Sequence, residues 1–186
     1  MINVFQPRRR DRARDEAWIR GYLLRATWGV LAVPSADGAP HLNSNLFVLA
    51  EDPDRLYFHT ARQGATADAL ADVNGVPASF TTAAMGRLLP ADTALEFSVE
   101  YSGVFVSGRA YTVLDDDEAT AALHLLLDKY APHLERGRDY RPVVAEELDR
   151  TAVYRLDVAG WSGKEKSEAE HPGAFDMEGV SLPFVL

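Results

Sequence analysis

The sequence has no cysteine among its 186 residues. That excludes disulfides, thiolate metal ligands and cysteine nucleophiles, and it fits a reducing, cytoplasmic setting. Cations are outnumbered: 19 Lys and Arg face 28 Asp and Glu, giving a formal net charge of -9. A surface of that sign disfavours nucleic acid and anionic membrane. An anionic ligand would therefore need a local cluster of cations. No apolar run is long enough to span a membrane. The N-terminal Met-Ile-Asn-Val-Phe-Gln-Pro-Arg-Arg-Arg has no apolar run behind its cations and does not read as a signal peptide. There is no Gly-x-Gly-x-x-Gly, no phosphate-binding P-loop and no Gly-x-Ser-x-Gly elbow. The five histidines, His41, His59, His124, His133 and His171, show no metal-ligand spacing. The carboxylates of Asp115–Glu118 read as a helix start rather than an acid/base pair, so hydrolase chemistry has no support.

What is present suits one domain over 1–186, with an irregular arm at 1–10 and a tail at 167–186. The chain is 47% hydrophobic, enough for a substantial core. Trp18, Ile19, Tyr22, Leu23 and Ala26 recur at helical spacing within Asp11–Ala26. Gly29–Pro34, the turn at Asp37-Gly38, His41–Ala50 and Leu56–Thr60 read as a three-strand meander. A helix is expected at Thr66–Val73 and a short strand at Pro77–Thr82. A loop follows at Ala83–Asp92. Leu95, Phe97, Val99 and Tyr101 alternate with polar residues, which predicts a long strand over Ala94–Leu114. Gly103 and Gly108 mark a bulge or bend in it. Helices follow at Glu118–Tyr130 and Arg141–Arg150, then a last strand at Ala152–Ala159. Six strands with inserted helices predict a mainly β fold, a small closed or half-open barrel with flanking helices.

The segment from Arg55 to Asn74 carries the strongest functional signal. A strand runs through His59, Thr60, Ala61, Arg62 and Gly64 toward a helix with Thr66 as its N-cap. Free backbone N–H groups at such a turn suit an anion; an ordinary strand-to-helix connection is the other reading. Asn43, Ser44 and Asn45 put three polar residues inside an apolar meander. They suit the polar edge of a flat ligand, or an edge strand facing water.

Three segments in this order resemble the pyridoxamine 5'-phosphate oxidase-like FMN-binding split-barrel proteins. They are Tyr57-Phe58-His59-Thr60-Ala61, then Gly86-Arg87-Leu88-Leu89-Pro90-Ala91-Asp92 leading into Leu95–Tyr101, then Trp161-Ser162-Gly163-Lys164-Glu165. The similarity is closest to the 5-nitroimidazole resistance (Nim) type flavoproteins and covers about Asp11 to Lys166. It implies an FMN-binding split β-barrel and a homodimer with FMN at the interface of its two chains. It also implies oxidoreductase chemistry on a small-molecule substrate, nitro-group reduction of small aromatics included, with a nicotinamide reductant docking transiently. His59 would stand beside the flavin as a catalytic proton donor. Trp161 and Lys164 would lie near the ligand cleft, or merely close the barrel end. Two departures stand out. Ala65 and Thr66 follow Gly64 where many members carry a basic residue, leaving Arg62 as the substitute cation. Tyr101-Ser102-Gly103 stands where the Nim-like branch tends to have Tyr-Arg-Ser. A non-catalytic split barrel holding flavin, haem or the deazaflavin F420 is the alternative.

Overall fold

The computed structural model describes residues 6–177. The outer parts of the expected arm and tail, 1–5 and 178–186, lie outside the described residues. Eight strands form one antiparallel sheet. They are β1 (Ala13–Arg14), β2 (Gly29–Pro34), β3 (Pro40–Asn45), β4 (Val48–Ala50), β5 (Arg55–Ala61), β6 (Val76–Leu89), β7 (Ser98–Thr112) and β8 (Thr151–Lys166). The order is β3-β2-β6-β7-β8-β5-β4, with β1 added to β8. The path begins at β3 and ends at β4, its chain neighbour, so the sheet curls into a half-barrel that is split between them.

Alternation along each strand sorts side chains onto two faces. Leu31, Phe58, Phe80, Val106, Tyr154 and Leu156 fill the inner face and are almost fully buried. Helix α1 (Glu16–Arg25) adds Ile19 and Leu23 to that core. Its first turn is capped by Asp15, which accepts from the Trp18 N–H. A Cβ at Gly163 would meet Ile19 and Trp18, so the absence of a side chain there lets α1 approach β8. Helix α2 (Ala65–Ala69) inserts Ala69 and Leu70 at the inner edge. On the outer face, α3 (Asp116–Tyr130) packs Ala119, Ala122 and Leu126 on Val48, Tyr57 and Val153. A four-residue α4 (Ala145–Leu148) closes this second core with Leu148. A charged layer underlies α3: Glu118 accepts from Tyr57 Oη at 2.7 Å and Arg155 Nη1 at 2.9 Å.

Several boundaries differ from the sequence reading. The expected loop at Ala83–Asp92 is largely strand: β6 runs to Leu89, because pairing with β7 organises Ala- and Gly-containing sequence of little intrinsic β preference. The register shift between Met85 and Leu88 takes up Gly86. β7 begins at Ser98, since Leu95 lies almost fully exposed at 95% in a turn and follows the alternation without burying anything. β8 continues to Lys166, so Trp161–Glu165 lies within the last strand rather than after it. The strand expected over His41–Ala50 breaks in two around Leu46. Thr66 is not an N-cap. Gly64 holds that position at φ 118°, and the helix is only five residues long.

Lys129, in the last turn of α3, ties the layers together. Its Nζ donates to the Leu23 and Phe47 carbonyls at 3.1 and 2.9 Å and lies 3.8 Å from the centroid of the Phe47 ring. Burial pulls its pKa from 10.5 down to about 8. Between those two values the unfolded chain binds more protons than the folded one, so folding stability should rise with pH from about 8 to 10.5. Below that window Lys129 is charged in both states and the desolvation penalty is fully present. Urea titrations across the window should show this rise in the wild type and its loss in Lys129→Met. Identical pH slopes would refute the assignment.

Candidate functional site

The residues singled out by sequence fall into separate places. β3 pairs with β2 so that Asn43 sits opposite Leu31 and His41 opposite Val33, on the inner face. There they meet α2. Thr66, buried at 7% exposure, accepts from Asn43 Nδ2 at 2.6 Å and lies 2.9 Å from His41 Nε2. Thr66 therefore joins β3 to the β5–α2 turn from inside the helix. Asn45 shares the face of Asn43, and its Nδ2 is buried with no partner. A buried amide donor left open requires an explanation, and a ligand acceptor is one. Ser44 points the other way and is exposed, with Leu42.

The β5–α2 turn builds a second cluster. Thr60 Oγ1 donates to the Ala61 carbonyl and lies 3.2 Å from the hydroxyl of buried Tyr154. Arg62 is anchored by Nε–H donation to the Leu148 carbonyl at 2.7 Å. A guanidinium has five donors, so that bond leaves its Nη groups for other acceptors. Arg62 and Tyr154 line a cavity of about 280 Å³ together with Leu70 and Thr112. Ala61 and Gly64 are exposed along the turn. At φ 118° Gly64 adopts backbone that side-chain-bearing residues avoid, and nothing lies within contact distance of an added Cβ.

His59 lies elsewhere. It pairs with Val153 and shares the face of Tyr57, the outer face covered by α3. It lines a groove of about 780 Å³ between α3 and the segment leading through α4. The ring keeps an exposed edge, yet the surrounding walls desolvate it and hold its pKa below the ordinary imidazole value. No metal-binding group of three or more His, Cys, Asp or Glu occurs among the described residues.

Trp161 and Lys164 are not brought to the turn. Trp161 packs against the inner core with the Arg20 guanidinium 4.8 Å above its ring. Lys164 lines a different groove, of about 740 Å³, on the outside of β6, β7 and β8 with Phe105. Sequence reasoning missed Tyr154 as the partner of Thr60, and Arg141 and Arg150 at the His59 groove. Tyr154 lies in the core, and no local signal shows that its hydroxyl reaches Thr60. Arginines in so acidic a chain were the available hint for the groove.

The family model described as pyridoxamine 5'-phosphate oxidase matches residues 15–165. No curated protein matches the chain. Among solved structures, the flavocytochrome Anf3 from Azotobacter vinelandii aligns with TM-score 0.72 at 24% identity, covering 93% of this chain and 76% of that one. An FAD and heme binding protein from Mycobacterium smegmatis aligns with TM-score 0.70 at 23% identity, covering 83% and 72%. A protein assigned to 5-nitroimidazole antibiotic resistance from Bacteroides thetaiotaomicron gives TM-score 0.65 at 18% identity, covering 82% and 84%. At these identities the likeness is one of fold.

The Thr66 hydroxyl is the hinge of the inner cluster. Thr66→Val keeps the shape but leaves the Asn43 amide without its acceptor. Stability should fall by about 1–3 kcal/mol, the usual effect of orphaning a buried donor. Chemical denaturation of the variant measures this. An unchanged midpoint would show that the Asn43–Thr66 bond does not hold α2 to β3.

Proposed function

Because the chain belongs to the pyridoxamine 5'-phosphate oxidase family, we propose that it is a flavin-binding oxidoreductase using FMN and acting as a homodimer on a small-molecule substrate. The observation that carries the reading is the unpartnered buried Asn45 Nδ2, on the face of the Asn43–Thr66 cluster. The carbonyl-bearing edge of a flavin supplies the acceptor that this amide lacks. Arg62, tethered at Nε, is the cation for the phosphate arm. That answers the loss of a basic residue after Gly64.

When bound, the flavin supplies hydride and electron transfer. The chain's own residues orient it: Asn45 donates to the ring edge, Thr66 fixes the neighbouring Asn43, and Arg62 neutralises the phosphate. The cavity beside Arg62, at about 280 Å³, is smaller than sites for ligands of this size. A second copy of the chain is therefore proposed to complete the cleft. The exposed apolar residues Leu42, Met85 and Phe105 on the outside of the sheet favour such a contact. The fold shared with the nitroimidazole-resistance protein makes a nitro group on a small aromatic the favoured substrate. The expectation of a His59 proton donor beside the flavin is not carried into this proposal, since His59 faces the α3 groove.

The freshly purified protein should show the paired blue and near-ultraviolet bands of a flavin, and light scattering should give a dimer. FMN titration of the apoprotein should show roughly tenfold weaker binding in Arg62→Ala, in line with loss of a charge-assisted bond, and a smaller loss in Asn45→Leu. Wild-type affinity in both variants would place the flavin elsewhere. A deazaflavin spectrum, or a Soret band without flavin bands, would replace FMN by F420 or haem as the resident cofactor.

A further inference from the structure

We propose that the cleft between α1 and the β6–β7 ribbon, walled by Trp18, Tyr22 and Trp28 and edged by Arg25, is a binding site for a small planar aromatic carboxylate. It shares no residue with the Asn43–Thr66 cluster or with Arg62, so the proposal does not rest on the flavin reading.

The cleft holds about 410 Å³, within the range of small-molecule sites. Trp18 and Tyr22 stand one helical turn apart on α1, and their rings stack at 5.0 Å and 20°. Tyr22 is fixed in place. Its Oη donates to the Ser102 carbonyl at 3.2 Å and accepts from Ser102 Oγ at 3.3 Å. Trp28 follows in the connection from α1 to β2, where buried Thr82 donates to its carbonyl at 2.8 Å. The backbone is thus held, yet the Trp28 residue stays 54% exposed. It is not an isolated apolar residue in water, because it continues the aromatic wall of a concave site. Ala83 and Ala84 of β6 add only methyl groups to the lining, which leaves the space open to a flat ring. Such a ring gains offset or edge-to-face contact with the aromatic walls.

Charge supplies the second half of the argument. Two charged side chains border the cleft, Arg25 and Glu165. Glu165 is neutralised by an ion pair with Arg14 at 2.7 Å. Arg25 forms no ion pair among the described residues, in a chain with 28 Asp and Glu. Its guanidinium folds back along α1. Nη1 lies 3.2 Å from where a Cβ on Gly21 would sit, so the absence of a side chain there leaves the group its place beside the cleft. A planar guanidinium pairs a carboxylate through two parallel bonds, and one free cation matches a ligand of single negative charge. Aromatic walls and a lone cation together call for a ring and a carboxylate in one small molecule.

Cinnamate, planar and singly charged, is the probe, titrated into the full chain. Nitrogen-edited proton spectra report on the indole N–H groups of the three tryptophans. The Trp18 and Trp28 signals should shift saturably with cinnamate. The Trp161 signal should not, since that ring lies under Arg20 and outside the cleft lining. Arg25→Ala should weaken cinnamate binding about tenfold, in line with loss of a charge-assisted bond, and leave binding of neutral cinnamyl alcohol unchanged. Trp28→Ala should weaken both ligands. Thermal unfolding of each variant separates loss of the site from loss of the fold. FMN should neither compete with cinnamate nor bind less well to Trp28→Ala, which keeps failure of this proposal distinct from failure of the flavin reading. No saturable shift at Trp18 and Trp28, equal affinity for non-aromatic cyclohexanecarboxylate, unchanged cinnamate affinity in Arg25→Ala, or competition by FMN would overturn it.

Discussion

The pairing of β7 with β6 on one side and β8 on the other is the constraint on which the rest depends. Both ladders run nearly the full length of β7, from Ser98 to Thr112. Such a ribbon must twist, and it curls because its register shifts at chosen points. One shift falls between Ser107 and Gly108. A Cβ at Gly108 would sit 2.0 Å from the Asp157 carbonyl oxygen. The glycine is therefore required by close backbone approach at the bend. Curling the ribbon gathers Val104, Val106, Tyr154 and Leu156 into one interior and turns Val153 and Arg155 outward.

Once the wall is curved, adjacent residues serve different neighbourhoods. Phe58 enters the barrel core and His59 faces α3. Asn43 meets α2 inside, while Ser44 is exposed outside. A polar motif read as one site in the linear sequence is thereby divided between two faces. The same alternation explains why the outer face needs its own cover. Tyr57, Arg155 and Glu118 form a hydrogen-bonded polar layer under α3, consistent with the rule that buried charges are paired. Away from that layer the α3 side is apolar, and the groove opens there.

Much of this was legible in the sequence because it is local. The helix start at Asp115–Glu118 and the overall family resemblance rest on short-range pattern, whereas the expected three-strand meander does not form: β3 pairs with β2 and β4 with β5, at opposite ends of the sheet path. What escaped reading was set by partners far along the chain. Ala83–Leu89 becomes strand because β7 supplies the hydrogen bonds, and its composition gives no such signal. Leu95 keeps the strand period yet lies in a turn. Thr66 looked like a cap because a hydroxyl before an Ala-rich run usually is one. Its hydroxyl instead serves Asn43, which only the folding of β3 against α2 brings near. His59 is close to the turn along the chain, but alternation along β5 turns its side chain to the face that α3 covers.

The acidic charge of the chain gives the remaining arginines their meaning. Most described arginines are committed: Arg20 to Asp54 and Glu16, Arg87 to Glu100, Arg155 to Glu118. A guanidinium held by several carboxylates has little field left for a ligand. Arg62 and Arg150 differ. Arg62 is tethered to a neutral carbonyl, which orients the group without neutralising it. Arg150 borders an apolar groove, where weak competition from water strengthens any pairing with an anion. Arg62 and Arg150 also stand together, because the Arg62 backbone N–H donates to the Arg150 carbonyl, so in a chain of net charge -9 the end of the β5–β8 ladder gathers two guanidinium groups that form no ion pair among the described residues.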